Sequence, residues 1–212
     1  MNSSSSFLKR YIGVVAHEKT YLNLIYLLLA FPLSVVYFVF LVTGLSVGIG
    51  TLIIWIGIPV LLAVLAASWG LAFFERMFVE VLLREDLPPR SREEDADQSA
   101  WERLKTHLGY RVTWTSLVYL FLKFPLATIF FVITVTLVAT SVAMLVMPFT
   151  YKLMNYPDWW GIWQIDSLGE ALIATVLALV VVGPISLHIT NFLARVSGAF
   201  ARVMLGRTES GD

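Results

Sequence analysis

The chain has 212 residues and no net charge; 58% of it is hydrophobic and only 14% charged, with a mean hydropathy of +0.78. Soluble domains carry roughly 45–50% apolar and about 25% charged residues, so an ordinary water-soluble fold is excluded. Zero net charge, without a basic cluster interleaved with aromatics, gives nucleic acid no footing. The absence of cysteine excludes disulfides, thiolate metal sites and cysteine nucleophiles, and leaves the redox compartment open.

The polar start, residues 1–6, is followed by a stretch that mixes charged and apolar residues. A signal peptide would place a short apolar core and a small-residue cleavage site there, so the mature protein is expected to keep its N-terminus. Within residues 7–19, Phe7, Leu8, Tyr11, Ile12 and Val15 recur at helical spacing opposite Lys9, Arg10 and Glu18. That pattern predicts a short amphipathic helix lying in the membrane plane, with Thr20 available to cap the next helix.

From Tyr21 to Phe74 the sequence holds no Asp, Glu, Lys, Arg or His. A soluble helix must show water one polar face, whereas a hydrocarbon core about 30 Å thick takes roughly 20 apolar residues per helix. The run therefore predicts two spans, 21–43 and 46–74, with Gly44, Gly48 and Gly50 at the turn and an amphipathic extension through Arg84. Residues 85–100 (EDLPPRSREEDADQSA) have almost no apolar content and read as a solvated linker. A second amphipathic stretch covers 101–108, a third span 114–147 and a fourth 170–194. Residues 148–169 form a loop between the last two spans, and a polar tail closes the chain.

An internal repeat organises these elements. With a shift of 93 residues, positions 24–43 fall over 117–136, and eleven of the twenty pairs are identical. Tyr26-Leu27-x-Leu29-x-Phe31-Pro32-Leu33 matches Tyr119-Leu120-x-Leu122-x-Phe124-Pro125-Leu126, and Thr20-Tyr21 falls over Thr113-Trp114. The second helices match more weakly, through Gly57-x-Pro59 and Gly183-Pro184. The expected fold is an all-α membrane protein, one domain over 1–212, with four transmembrane helices as two tandem parallel hairpin repeats. The first repeat covers 7–84, the linker 85–100 and the second repeat 101–205, each opening on its amphipathic helix. Two spans per repeat bring both copies in from one side, so the expected axis lies along the membrane normal.

Basic residues near the spans set the expected orientation. Lys9, Arg10 and Lys19 precede the first span; Arg76, Arg84, Arg90, Arg92, Arg103, Lys105 and Arg111 separate the second from the third; Arg195, Arg202 and Arg207 follow the fourth. The other side holds Lys152 alone. Both termini are expected in the cytoplasm of a multi-pass plasma-membrane protein, with 148–169 external.

Several residues invite sharper assignments. Pro32 and Pro125, with Pro59 and Pro184, are expected helix kinks, either hinges around a site or shape elements copied by duplication. Lys123 replaces Ala30 of the first copy; it is an intramembrane charge with a role or, in the plainer reading, snorkels to the headgroups. His188, Thr190 and Asn191 form a polar stripe suited to interhelical hydrogen bonding. The small-residue motif Gly44-x-x-x-Gly48 is a weak packing signal at a turn. The external loop concentrates aromatics: Tyr151, Tyr156, Trp159, Trp160 and Trp163 accompany Asp158 and Asp166. These residues are either an interfacial belt or a surface binding an apolar or amphiphilic ligand that Asp158, Asp166 or Glu170 orients.

No nucleophile elbow, phosphate-binding glycine-lysine loop or His-Glu-x-x-His motif occurs. His17, His107 and His188 are too widely spaced for a local metal site. No enzyme activity, cofactor or metal is expected.

The Tyr-Leu-x-Leu-x-Phe-Pro-Leu motif, Val36-Tyr37-Phe38, Val42-Thr43-Gly44 and Gly57-Ile58-Pro59 resemble the sensor domain found ahead of bacterial and archaeal histidine kinases in two-component systems. The second Phe-Pro copy, Met147-Pro148 and Ile165-Asp166-Ser167 carry the resemblance on, over roughly residues 15–205. It implies a four-helix membrane sensor module. The chain ends about a dozen residues after its last helix, without a phosphoacceptor helix or ATP-binding domain. The expected function is thus a stand-alone sensor or regulatory module that passes an envelope signal to a separate kinase, regulator or membrane complex. A homo-oligomer is compatible with this. The alternatives are a small transporter or permease-associated subunit, and a structural subunit of a larger complex.

Overall fold

The computed structural model describes residues 17–84, 111–152 and 167–205, with side chains from residue 115 onward in the second stretch. The linker 85–100, the amphipathic stretch 101–108, residues 7–16 of the first amphipathic helix and residues 153–166 of the loop lie outside the described residues.

Every regular element described is helical. Helix α1 runs over Glu18–Gly50, a 3-10 turn over Leu52–Ile54, α2 over Gly57–Leu83 and α3 over Arg111–Thr150. Helix α4, Leu168–Leu177, continues through a π-helical turn, Ala178–Val182, into α5, Gly183–Leu205. Four stretches are long and apolar enough to cross a membrane: Glu18–Gly50, Gly57–Leu83, Thr115–Thr150 and Leu168–Leu205. Many of their valines, isoleucines and phenylalanines point outward, as at Val36, Phe73, Ile129 and Ile173, while Ser34, Ser68, Thr134 and Thr190 are buried. Apolar outside and hydroxyl-bearing inside is the arrangement lipid selects. Lipid offers backbone groups no partner, so a spanning segment must close its own hydrogen bonds. The chain is a multi-pass membrane protein.

The turn after the first span differs from the expected one. Helix α1 runs straight through Gly44 and Gly48 to Gly50, and the chain reverses at 51–56. Glycine is tolerated in membrane helices, and here it serves close packing. A Cβ on Gly44 would lie 2.5 Å from Val64 Cγ2, and one on Gly48 would lie 2.5 Å from Leu61 Cδ2. The Gly44-x-x-x-Gly48 motif is thus a helix contact, where small residues let backbones approach.

The four expected kinks divide by position. Pro32 and Pro125 sit inside α1 and α3, which continue unbroken past them. Pro59 stands in the first turn of α2, where a missing N–H is no loss, so it opens a helix rather than bending one. Pro184 follows the π turn, in which the Gly183 N–H reaches back to the Ala178 carbonyl. Such widenings accompany positions where the regular ladder is interrupted.

The described residues fall into two units, within Met1–Leu24 with Val132–Leu193, and within Ile25–Phe131 with Ala194–Asp212. In the first, Met147, Ala171 and Ala174 form a small apolar core against Met144 and Tyr151. Thr175 donates to the Met144 carbonyl at 3.2 Å, and Ser141 and Ser186 share a hydrogen bond at 3.2 Å. A capping box in which Ser167 and Glu170 bond reciprocally starts α4. In the second unit, stacked rings line the helices: Phe31 on Phe131 at 4.6 Å and Phe38 on Phe124 at 4.5 Å.

Candidate functional site: a buried charge pair among tyrosines

The second unit holds two ionisable side chains of opposite type in its interior. On α2 the buried residues after Gly57 are Val64, Ser68, Ala72, Glu75, Val79 and Leu83, spaced three or four apart, so Glu75 shares one helical stripe with small and apolar neighbours. On α3, Tyr119, Leu120, Lys123 and Ala127 form the matching buried stripe. The Lys123 ammonium forms an ion pair with Glu75 Oε1, the two side chains being 3% and 0% exposed.

Tyrosines enclose this pair. The Tyr119 hydroxyl, one turn before Lys123, donates to the same Glu75 oxygen at 3.4 Å. The Tyr26 and Tyr119 ring centroids lie 5.6 and 5.9 Å from the ammonium, inside the range in which a ring face attracts a cation. Tyr26 is tied in turn to Ser197 on α5 by a 2.9 Å hydroxyl–hydroxyl hydrogen bond. Phe78 and Phe200 back the two rings, at 5.3 and 5.2 Å from Tyr26 and Tyr119. Helices α1, α2, α3 and α5 all contribute. Among the described residues, the buried Glu75 Oε2 and the Tyr37 hydroxyl find no hydrogen-bond partner.

Removing two ions from water costs several kcal/mol for each, and mutual attraction repays this only when the remaining lone pairs are satisfied. One carboxylate oxygen here is not. Packing alone therefore gives no reason to keep the pair. Ionisable groups inside spanning helices mark functional positions by default.

Lys123 does not snorkel as its position suggested. It is enclosed, and its counter-ion is within reach, so the charge is met by a protein side chain and not by lipid or water. Glu75 was not anticipated. A second polar set, in the first unit, bears out hydrogen bonding between helices for one residue of the expected stripe: Asn23 donates to Asn191 Oδ1 at 2.8 Å, and Asn191 donates to Thr20 at 3.1 Å. Thr190 instead bonds the Ser186 carbonyl of its own helix at 2.8 Å.

Of the expected loop site, Tyr151 and the orienting candidate Glu170 are described. Tyr151 packs half-buried on the Met147 core, with the Lys152 ammonium 5.8 Å from its ring centroid. Tyr156, Asp158, Trp159, Trp160, Trp163 and Asp166 lie outside the described residues. Glu170 is occupied in capping α4, where its carboxylate accepts from the Ser167 N–H at 3.0 Å.

Four spanning helices with a charge pair sealed inside define an integral membrane protein with a polar interior site. The model of the family described as "Putative sensor" matches residues 26–205, and the chain belongs to that family. No curated protein and no solved structure matches it.

Proposed function

We infer that this protein is a membrane sensor module in which the Lys123–Glu75 pair is the switching element, coupling a signal at the membrane to a separate partner protein. Family membership supports the sensing role, and the pair carries the mechanism. It joins α2 to α3 by an interaction that is strong when closed and costly when half-open. An element of that kind has two discrete arrangements for a signal to choose between.

The module is built as two tandem copies. Across 25–46 and 118–139, residues are buried, half-buried or exposed alike, position for position. With Gly57 set on Gly183, Val64, Ser68, Ala72 and Glu75 correspond to Thr190, Ala194, Gly198 and Ala201, and all are buried. The charges break this equivalence: the first copy carries Ala30 and Glu75, the second Lys123 and Ala201. The basic residues Lys19, Arg76, Arg84, Arg195 and Arg202 support cytoplasmic placement of the ends that carry them.

A small transporter is the second reading, since intramembrane charges also mark substrate paths. Affinity capture from mild detergent, with mass spectrometry, compares the wild type with the paired substitution Lys123→Met and Glu75→Leu. The sensor reading expects one stoichiometric partner whose capture changes when the pair is removed. Absence of any partner, together with solute uptake by the purified chain in proteoliposomes, would contradict it.

A further inference from the structure

Residues 52–56 join α1 to α2 with the sequence Leu-Ile-Ile-Trp-Ile, and all five are exposed, Ile53 at 89% and Trp55 at 79%. A turn in water is ordinarily built from Gly, Pro, Asn, Asp or Ser. Here Thr51 is the neighbouring polar residue, and its hydroxyl folds back on the Val47 and Gly48 carbonyls at 2.7 and 3.4 Å. The backbone closes on itself as well. Thr51 N–H donates to Val47, Ile54 N–H to Thr51, Trp55 N–H to Leu52 and Gly57 N–H to Thr51. Hydrocarbon demands such internal satisfaction, whereas water does not. Trp55 takes a left-handed conformation at φ 64°, which a bulky residue rarely adopts. The strained position carries an outward indole where glycine would fit without cost.

Helix α2 sets the depth of this tip. Arg76, Glu80 and Arg84 are the first water-seeking charges after the long uncharged run apart from the enclosed Glu75, and Arg76 bonds a 40%-exposed Glu80 at 3.0 Å. Between Gly57 and Arg76 a helix rises roughly 28 Å at 1.5 Å per residue, close to the hydrocarbon thickness of about 30 Å. With Arg76 and Glu80 at one boundary, residues 52–56 arrive at the other and do not pass it.

We propose that residues 52–56 form a lipid-seated tip. Their aliphatic side chains enter the acyl region of the leaflet opposite Arg76, and the Trp55 indole lies at its headgroup boundary, where amphipathic rings collect. The occupant is lipid and not a protein, because the closed backbone and the match of helix length to bilayer thickness serve immersion and add nothing to protein docking.

The chain has no cysteine, so Ile53→Cys carries a single nitroxide label. In nanodiscs of phosphatidylcholine and phosphatidylglycerol, the label is expected to collide with oxygen and not with a water-soluble nickel chelate, matching a label at the outward Val36. A label at the exposed Ser167 should meet the chelate. Strong chelate collision at position 53 would overturn the proposal. So would collision that disappears only on adding a membrane extract, the sign of a protein occupant. Trp55→Gly relieves the left-handed strain and, in the lipid-seated tip, increases chelate collision at position 53 with helix content unchanged. Undiminished shielding in that variant would overturn the role given to the indole.

Discussion

The Lys123 ammonium meets the Glu75 carboxylate at 3% and 0% exposure, between helices whose outward faces carry valine, isoleucine and phenylalanine. The same two helices could be joined by aliphatic side chains at no desolvation cost. What the charges add is an all-or-none contact, since separating them leaves both without water. Tyr119 and Tyr26 make that contact directional, one by donating to the carboxylate and both by facing the ammonium.

Removing one charge should therefore harm the protein more than removing both. Lys123→Ala or Glu75→Ala strands an uncompensated ion and is expected to cost about 3–5 kcal/mol. The paired Lys123→Met and Glu75→Leu substitution should melt near the wild type. Thermal unfolding in detergent, followed by fluorescence-detected size exclusion, measures the order. Equal losses in the single and paired variants would show that shape, not charge, matters here.

The proposed duplication makes a stronger demand. Ala30 corresponds to Lys123 and Ala201 to Glu75, and both alanines are buried, at 2% and 0% exposure. In a background carrying Lys123→Ala and Glu75→Ala, adding Ala30→Lys together with Ala201→Glu should recover melting temperature, while either addition alone should lower it further. If the two additions together are no better than one, the copies are not equivalent at this position.

Glycines on α1 and α2 should separate by surroundings. Gly48→Leu overpacks against Leu61 and is expected to cost about 1–3 kcal/mol. Gly70 has nothing within 4 Å of an added Cβ, so Gly70→Ala should be neutral or gain up to about 1 kcal/mol in helix propensity. The same melting assay reads both, and a destabilised Gly70→Ala would contradict the packing described.

Much of this fold was legible because hydrocarbon imposes length and polarity so strictly. The uncharged run 21–74 announced two helices, and their reversal was misplaced only because Gly44 and Gly48 look like turn residues in water. In lipid, with Val64 and Leu61 opposite, they are contact residues. Lys123 drew notice as an intramembrane charge, but its reach in the folded chain depends on what stands across from it, and its own neighbours in sequence do not name that partner. Glu75 was hidden by its neighbour Arg76, which gives that stretch the look of a helix leaving the membrane. A signal was present in the spacing of Val64, Ser68, Ala72 and Glu75, which places Glu75 on the small-residue stripe and leaves Arg76 and Glu80 off it. The loop aromatics from Tyr156 to Trp163 carry no periodicity, so sequence could flag their density without giving them a geometry.

The distance between α2 and α3 tests the switching claim most directly. Met77 and Val118 are outward-facing on the two helices, at 47% and 45% exposure, and Met77→Cys with Val118→Cys supplies two label sites in a cysteine-free chain. Pulsed electron–electron resonance in nanodiscs should give one dominant distance with the charge pair intact. A second population should appear when Lys123→Met and Glu75→Leu remove it. A single, unchanged distribution in the neutral variant would contradict the account, because α2 and α3 would then be held by packing alone and the pair would have nothing to switch.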